Sequence, residues 1–305
     1  MHNIRNKNTQ YFANTKNYEF NNQLIKNGIL KAAIVYGKNA TGKTNLGRAI
    51  ADITSHLTDF NQARERGHYK NLLSSNKTVC FEYTFCFGNN ILVYSYEKQE
   101  RLKLVREGSW VNGQEVLSAD IDCVAKVNLK GAERLNLDVW DGSISLVKYV
   151  SKNTILDKED VNSGTFMQFI RFVERMIWFS SSEGNRYSGY SNIGSNICEN
   201  IAKMGAIGEL QQFLHEMGIK VQLKEKIEGE QLCFLFVWYL QMKNMSFVYV
   251  DEFDAFYHYE LAEAVVRKLV ESGVQIVFTS HNTDLMTNEL LRPDCYFELI
   301  DNQIK

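Results

Sequence analysis

The residues at positions 37 to 44 have the types and spacing of a phosphate-binding loop. They read Gly37-Lys38-Asn39-Ala40-Thr41-Gly42-Lys43-Thr44, a complete G-x-x-x-x-G-K-T sequence. Glycines let backbone N–H groups approach phosphate oxygens, the lysine adds a positive charge, and the threonine hydroxyl is a ligand for Mg²⁺. We therefore predict that this segment binds the phosphates of a nucleotide.

The segments on either side of the loop have the patterns needed to hold it. Ala32-Ala33-Ile34-Val35-Tyr36 is an apolar run typical of a buried strand. After the loop, apolar residues recur along one helical face at Leu46, Ile50, Ile53, Leu57 and Phe60. A strand, a glycine loop and a helix start would place the N–H groups of the loop at the positive end of the helix dipole.

Two acidic residues end a second apolar strand. Phe247-Val248-Tyr249-Val250 is followed directly by Asp251 and Glu252. In a phosphate-loop enzyme the first acid is expected to hold Mg²⁺ together with the Thr44 hydroxyl. Glu252 has the chemistry to orient and deprotonate an attacking water. Acids often end surface strands, but beside a phosphate loop this pair predicts a catalytic site.

A histidine ends a third apolar strand. The run from Val274 to Ser280 leads directly into His281. A neutral imidazole at this place could hydrogen-bond the γ-phosphate or the attacking water. A single histidine after a strand is usually structural, but the order of the three strands favours a functional role for His281.

Composition and charge favour a reduced, soluble, cytoplasmic protein without a membrane partner. The net charge is −2 and the pI is about 6.3, so no global basic field indicates nucleic acid, although a local patch leaves DNA binding open. The six cysteines show no C-x-x-C pair and no metal spacing. The first residues are polar, unlike a signal peptide, and the longest apolar run, 232–240, is shorter than a membrane span of about 20 residues.

The middle of the chain changes its hydrophobic period. Apolar and polar residues alternate over 79–87, which predicts a strand with one buried face. Asn112-Gly113 predicts a two-residue hairpin turn, so residues 78–127 are expected to form an antiparallel meander. The Ser-, Gly- and Asn-rich segment 180–195 predicts an exposed loop. The last hundred or so residues alternate strand and helix patterns, which is typical of an α/β fold.

Taken in this order, the segments resemble an ABC-type ATPase of the SMC, RecF and OLD group. They are especially similar to the stand-alone AAA family ATPases of bacterial anti-phage defence loci. The run from Tyr36 to Leu46 is similar to Y-G-x-N-x-x-G-K-[ST]-N-L, and that from Asp251 to His258 resembles D-E-x-x-x-x-L-H. Thr279-Ser280-His281-Asn282 matches T-[TS]-H-[DN], and Leu291-Arg292-Pro293-Asp294 resembles L-R-x-D.

The resemblance implies a fold, two cofactors and a set of site residues. The fold is a single ABC-type P-loop NTPase domain over residues 1–305, α/β with a mixed central sheet. An antiparallel β meander lies in lobe I (1–178), and lobe II (179–305) is helical. ATP and Mg²⁺ are the implied cofactors, with Lys43, Glu252 and His281 catalytic, and Thr44 and Asp251 as metal ligands. The implied nucleotide-binding residues are Gly37, Lys38, Asn39, Ala40, Thr41, Gly42, Lys43, Thr44 and Asn45.

The expected signature segment departs from the family pattern. ABC signatures present a serine and two glycines to the γ-phosphate of the facing subunit, but here the residues are Glu228, Gly229, Glu230 and Gln231. A carboxylate close to a phosphate is repelled by about 4 kcal/mol per charge pair at an effective dielectric constant near 20. Three interpretations follow: Glu228 is turned away, hydrolysis is slow, or a partner completes the composite site.

The role implied by the resemblance is that of an ATPase subunit in a defence or toxin-type module. ATP would close a head-to-tail homodimer and so control a separate, co-encoded effector such as a nuclease or a toxin. Because no TOPRIM nuclease region or long heptad repeat follows the ATPase motifs, we expect that effector to be a different protein. The main alternative is a RecF-like DNA repair or replication ATPase. A transporter ATP-binding subunit and a non-hydrolysing scaffold are further alternatives.

Overall fold

The helices and strands alternate in the order expected of an α/β protein. The computed structural model describes residues 24–26, 28–58, 78–99, 103–137, 139–180, 186–189, 205–218, 220, 222, 244–254, 259–287, 290–300 and 303–304. Its helices are α1 (Lys43–Leu57), α2 (Leu146–Asn153), α3 (Val161–Glu174), α4 (Ile207–Glu216) and α5 (Tyr259–Glu271). Its strands are β1 (Ile25–Lys26), β2 (Ile29–Leu30), β3 (Ala32–Tyr36), β4 (Val79–Phe87), β5 (Asn90–Lys98), β6 (Leu104–Val111), β7 (Gln114–Asp120), β8 (Lys126–Val127), β9 (Met176–Ser180), β10 (Arg186–Gly189), β11 (Phe247–Asp251), β12 (Gln275–Ser280), β13 (Tyr296–Ile300) and β14 (Gln303–Ile304).

The described residues divide into two compact units. The first holds those of 49–174, and the second holds those of 4–48 and 175–305. Each unit has its own main sheet. The lobe boundary near residue 178, expected from the resemblance, stays a prediction.

The second unit contains a mixed sheet in the order β10-β9-β11-β12-β3-β13-β14. The five inner strands run parallel, and β10 and β14 pair antiparallel at the edges. A parallel strand covered on both faces reads as a continuous apolar run. This explains why β3 and β11 are buried at every position. The three apolar strands predicted around the site residues are confirmed.

The first unit contains the predicted antiparallel meander, in the order β4-β5-β6-β7-β8. Asn112 and Gly113 have φ values of 51° and 84°, as a type I′ hairpin turn requires, which confirms the predicted turn. On the buried face, Phe81 stacks on Tyr96 at 4.9 Å between ring centroids. From α3, Phe169 packs against Tyr94 at 5.3 Å, so rings fill the core of this unit.

One local expectation was wrong. Within the segment predicted as an exposed loop, Arg186–Gly189 form β10, which pairs with β9. Strand propensity depends on the neighbouring strand, so a polar segment can pair at a sheet edge without showing a strand pattern.

The predicted fold class is confirmed: the chain is α/β, with a mixed sheet that carries the loop after β3 and an antiparallel meander in a sheet of its own. Among the described residues, no helix combines the length and the apolar character that crossing a membrane requires.

Candidate functional site

The predicted phosphate-binding loop joins the end of β3 to the start of α1. Ala40 and Gly42 have φ values of 65° and 101°, which bend the loop back toward the helix. A Cβ atom added at Gly37 would lie 2.5 Å from Thr41 Oγ1 and 3.1 Å from the Leu299 carbonyl oxygen, so only glycine fits there. Residues 38–40 are exposed at the loop tip. The loop therefore presents backbone to solvent directly before a helix N-terminus, the arrangement that binds phosphates.

Lys43 reaches back across this loop. Its Nζ donates to the carbonyl oxygens of Gly37 at 2.6 Å and Lys38 at 3.0 Å. Burial lowers the pKa of Lys43, while the carboxylates of Glu252, Asp251 and Asp254 oppose that shift. The ammonium group is thus held in the loop, within electrostatic reach of three acids.

Asp251 ends β11 and is fully buried. Its Oδ1 accepts a hydrogen bond from Thr279 Oγ1 at 2.8 Å, but its Oδ2 is buried without a hydrogen-bond partner. Burial raises the pKa of Asp251, and hydrogen bonds from the Thr44 and Thr279 side chains oppose the rise. The side chain of Thr44, which the sequence predicts to share a metal with Asp251, is therefore close enough to influence this carboxylate.

These two residues fit a Mg²⁺ ion. A buried carboxylate oxygen without a partner is costly unless a ligand satisfies it, and a hydroxyl and a carboxylate are the hard oxygen ligands that Mg²⁺ prefers. In the described part of the chain, no group of three or more His, Cys, Asp and Glu side chains could hold a metal. Mg²⁺ commonly takes one or two protein ligands and completes its shell with phosphate oxygens and water, so this donor set suits an ion bound with a nucleotide.

Glu252 lies at a sharp turn directly after β11. Its φ of 52° is in the left-handed region, which is uncommon outside glycine and concentrated at functional sites. Its N–H donates to Thr279 Oγ1 at 2.7 Å, so the hydroxyl that binds Asp251 also holds this turn. The turn places the side chain of Glu252 at the partly open edge of the site, with 24% of it exposed.

His281 faces Glu252 across this edge. Its Nε2 is 3.8 Å from Glu252 Oε1, and 39% of the histidine side chain is exposed. The preceding residue, Ser280, donates to Asp254 Oδ2 at 2.6 Å and accepts from the N–H of Asn282 at 2.8 Å. Asp254 therefore anchors the segment that carries the histidine.

The structure brings most of the predicted site residues together. They lie where parallel strands β3, β11 and β12 end, the edge at which open α/β sheets bind ligands. Asn45 is exposed in the first turn of α1. The signature residues Glu228, Gly229, Glu230 and Gln231 lie outside the described residues, so their role stays a prediction. The sequence analysis assigned no role to Asp254, Thr279 or Tyr249, because hydrophobic period shows which residues are buried but not which atom a buried polar group meets.

Comparisons with known proteins return structural likeness alone. No protein-family model matches the chain, and no curated protein matches it. An SMC head bound to the C-winged helix domain of ScpA is 14% identical, with 90% of each chain covered and a TM-score of 0.45.

Two further SMC heads are similar in the same way. The SMC head domain from Thermotoga maritima is 13% identical over 87% of this chain and 84% of that chain, with a TM-score of 0.42. An SMC head with an extended coiled coil, bound to the C-terminal domain of ScpA and derived from Pyrococcus furiosus, is 12% identical over 90% and 89%, with a TM-score of 0.39. Likeness at this level assigns no function to the present chain.

Proposed function

We propose that this chain is an ATPase that binds ATP with Mg²⁺ at the loop between β3 and α1. The observation that carries the proposal is the buried Asp251 carboxylate, which keeps one oxygen without a hydrogen-bond partner within electrostatic reach of Lys43 and Thr44. A Mg²⁺ ion bound together with nucleotide phosphates would satisfy that oxygen.

Each residue has a distinct part in the proposed reaction. Lys43 and the loop N–H groups hold the phosphates, and Mg²⁺, when bound, neutralises charge on them. Glu252 accepts the proton of the attacking water from its turn at the open edge of the site. His281, which faces Glu252 at 3.8 Å, hydrogen-bonds that water or the γ-phosphate.

The wider role follows from the family resemblance of the sequence. We infer that ATP closes a head-to-tail homodimer, and that closure controls a separate effector in an anti-phage defence or toxin-type module. A composite site of this kind gives ATP different contacts in the open and the closed state, which is what a switch requires. For the unusual signature glutamates we keep three interpretations: Glu228 is turned away, turnover is slow, or a partner completes the composite site.

Two substitutions test the ATPase assignment. Lys43→Ala should weaken ATP binding by about 100-fold or more, because it removes a desolvated charge-assisted contact. Glu252→Gln should keep the affinity and reduce turnover by about 100- to 10,000-fold, as expected for loss of a general base. Calorimetric ATP binding and phosphate release measure the two effects.

The controls are Lys126→Ala and Glu115→Gln. They make the same two kinds of substitution at exposed residues of the meander. Wild-type ATP affinity in Lys43→Ala would contradict nucleotide binding at this loop. Wild-type turnover in Glu252→Gln would exclude Glu252 as the base. Turnover that rises with duplex DNA, and loses this rise in high salt, would favour the RecF-like alternative instead.

A further inference from the structure

The hydroxyl of Tyr249, on β11, contacts the first turn of α1. It donates a hydrogen bond of 2.7 Å to the carbonyl oxygen of Lys43, and the Tyr249 side chain is fully buried. Burial raises the pKa of Tyr249 well above its ordinary value, so the phenol stays protonated and keeps its proton for this bond. One side chain from β11 therefore holds a carbonyl in the first turn of the helix that follows the loop.

Gly47 supplies the space that this contact needs. A Cβ atom added there would lie 2.2 Å from Cε1 and 2.5 Å from Cδ1 of Tyr249, and 2.6 Å from Nε1 of Trp178. Real Cβ contacts are not that short, so α1 approaches β9 and β11 this closely only because position 47 lacks a side chain. The tyrosine and the glycine form a matched pair across the helix–sheet interface.

The contact joins the two halves of the proposed metal site. The Lys43 carbonyl belongs to the peptide that links Lys43 to Thr44. Tyr249 precedes Asp251 by two positions on a strand, so both side chains lie on the same face of the sheet. The anchor is therefore one peptide from the hydroxyl ligand and two residues from the carboxylate ligand.

We propose that Tyr249 is a positioning residue that fixes the Thr44 hydroxyl against the Asp251 carboxylate, with Gly47 as the space that admits it. The inference rests on the proposed ATPase function. Phenylalanine would fill the same apolar space, so the hydroxyl itself serves the placement of α1 rather than the packing of the core. Tyr249 acts through Thr44 and Asp251, without touching nucleotide.

The variant Tyr249→Phe tests this role through metal dependence. The Mg²⁺ concentration that half-saturates binding of a non-hydrolysable ATP analogue should rise about 3- to 10-fold, the effect of one net hydrogen bond. Affinity for the analogue in EDTA should change by less than about two-fold, because the loop and Lys43 remain. In the free protein, amide hydrogen exchange in the first turn of α1 should quicken by about 3- to 10-fold.

Tyr83→Phe is the matched control. The Tyr83 hydroxyl donates to the carbonyl oxygen of Ala49 at 2.9 Å, so this variant removes the same kind of bond from the same helix, further from Thr44. It should leave the Mg²⁺ midpoint unchanged. Gly47→Ala, which displaces α1 rather than deleting a bond, should raise the midpoint more than Tyr249→Phe does.

The outcomes separate this inference from the ATPase proposal. If the wild-type protein binds the analogue with Mg²⁺ while Tyr249→Phe keeps the wild-type midpoint and exchange rates, the positioning role alone is overturned. If the wild-type protein binds no nucleotide, the proposed function fails, and the inference fails with it. A rise in the midpoint that Tyr83→Phe shares equally would also overturn the role, since loss of any bond to α1 would then suffice.

Discussion

Thr279 contacts both acids of the site, Asp251 at the end of β11 and Glu252 directly after it. Its hydroxyl donates to Asp251 Oδ1 at 2.8 Å and accepts from the Glu252 N–H at 2.7 Å. Thr279→Val keeps the shape but leaves a buried carboxylate oxygen and the amide of a positive-φ residue without this partner. We expect the free energy of unfolding to fall by about 1–3 kcal/mol, the cost of unsatisfied buried polar groups.

Urea unfolding of the free protein measures this loss, and Thr279→Ser is its control. Serine keeps the hydroxyl and loses one methyl group, so it should cost less than valine does. Equal stabilities for the valine variant and the wild-type protein would mean that the hydroxyl does not hold the turn at Glu252.

The residues proposed to carry chemistry were easier to select from the sequence than those that position them. Lys43, Thr44, Asp251, Glu252 and His281 stand at fixed places in a loop or at strand ends, so type and order in the sequence suffice to select them. The supporting hydroxyls join residues far apart in the chain, such as Tyr249 and Lys43. Sequence pattern gives the buried face of a strand but not the atom that a buried hydroxyl meets.

Among the elements, the second half of α1 meets the meander through polar groups. Asp52 and His56 are four residues apart, so they share a helix face. Lys98 donates to both oxygens of Asp52 at 2.7 Å, and Tyr96 donates to Oδ2 at 2.6 Å. His56 Nε2 lies 2.9 Å from the Tyr94 hydroxyl. The helix is therefore held on β5 by a buried ion pair and a histidine contact.

This contact predicts acid sensitivity of the first unit. Burial lowers the pKa of His56 to about 4, helped by Lys98 and Lys148 and opposed by Asp52. A folded pKa below the ordinary value of about 6.5 stabilises the fold above that pH, and this contribution is lost as the pH falls toward 4. The loss attributable to His56 should be on the order of 2–3 kcal/mol.

Urea unfolding between about pH 7 and pH 4.5 measures this loss, with the range set by the two pKa values. His56→Gln can still hydrogen-bond Tyr94 but does not titrate, so its stability should fall less over the same range. His215→Gln, at an exposed position of α4, is the control and should follow the wild-type curve. Parallel curves for wild type and His56→Gln would contradict a buried neutral imidazole.

The positions of strands and turns were predictable where the hydrophobic period of the sequence was clear. Contacts that depend on a buried charged side chain were not predictable. The alternation over β4 and the Asn112-Gly113 turn gave the meander, because both signals are local. Glu107 of β6 was not predictable as a buried residue. It accepts hydrogen bonds from the Leu146 N–H at 2.6 Å and the Ser145 hydroxyl at 2.6 Å, and so caps α2 from another element. Charged groups are buried only with such partners, which a single sequence does not show.

For the whole molecule, the sheet order explains why three separate motifs converge. Strands β11, β12 and β3 are parallel neighbours, so the residues after each strand meet at one edge. Parallel strands place their carboxyl ends at the same edge of a sheet, so the α/β pattern of the sequence made this convergence predictable. The edge strand β10 was missed, because its pairing depends on β9 rather than on its own residues.

The proposed nucleotide site would be completed by a second subunit, so the function depends on assembly. If a facing subunit supplies contacts to the γ-phosphate, a chain that binds ATP without hydrolysing it should accumulate as a closed dimer. Glu252→Gln with ATP and Mg²⁺ should therefore double its mass in light scattering coupled to size exclusion, and EDTA should return it to the monomer. Lys43→Ala should stay monomeric under the same conditions, because the dimer would form around the bound nucleotide. The opposite result would be a Glu252→Gln protein that keeps the mass of one chain at ATP concentrations well above its dissociation constant. The site would then work within a single subunit, and the proposed switch between open and closed dimers would be wrong.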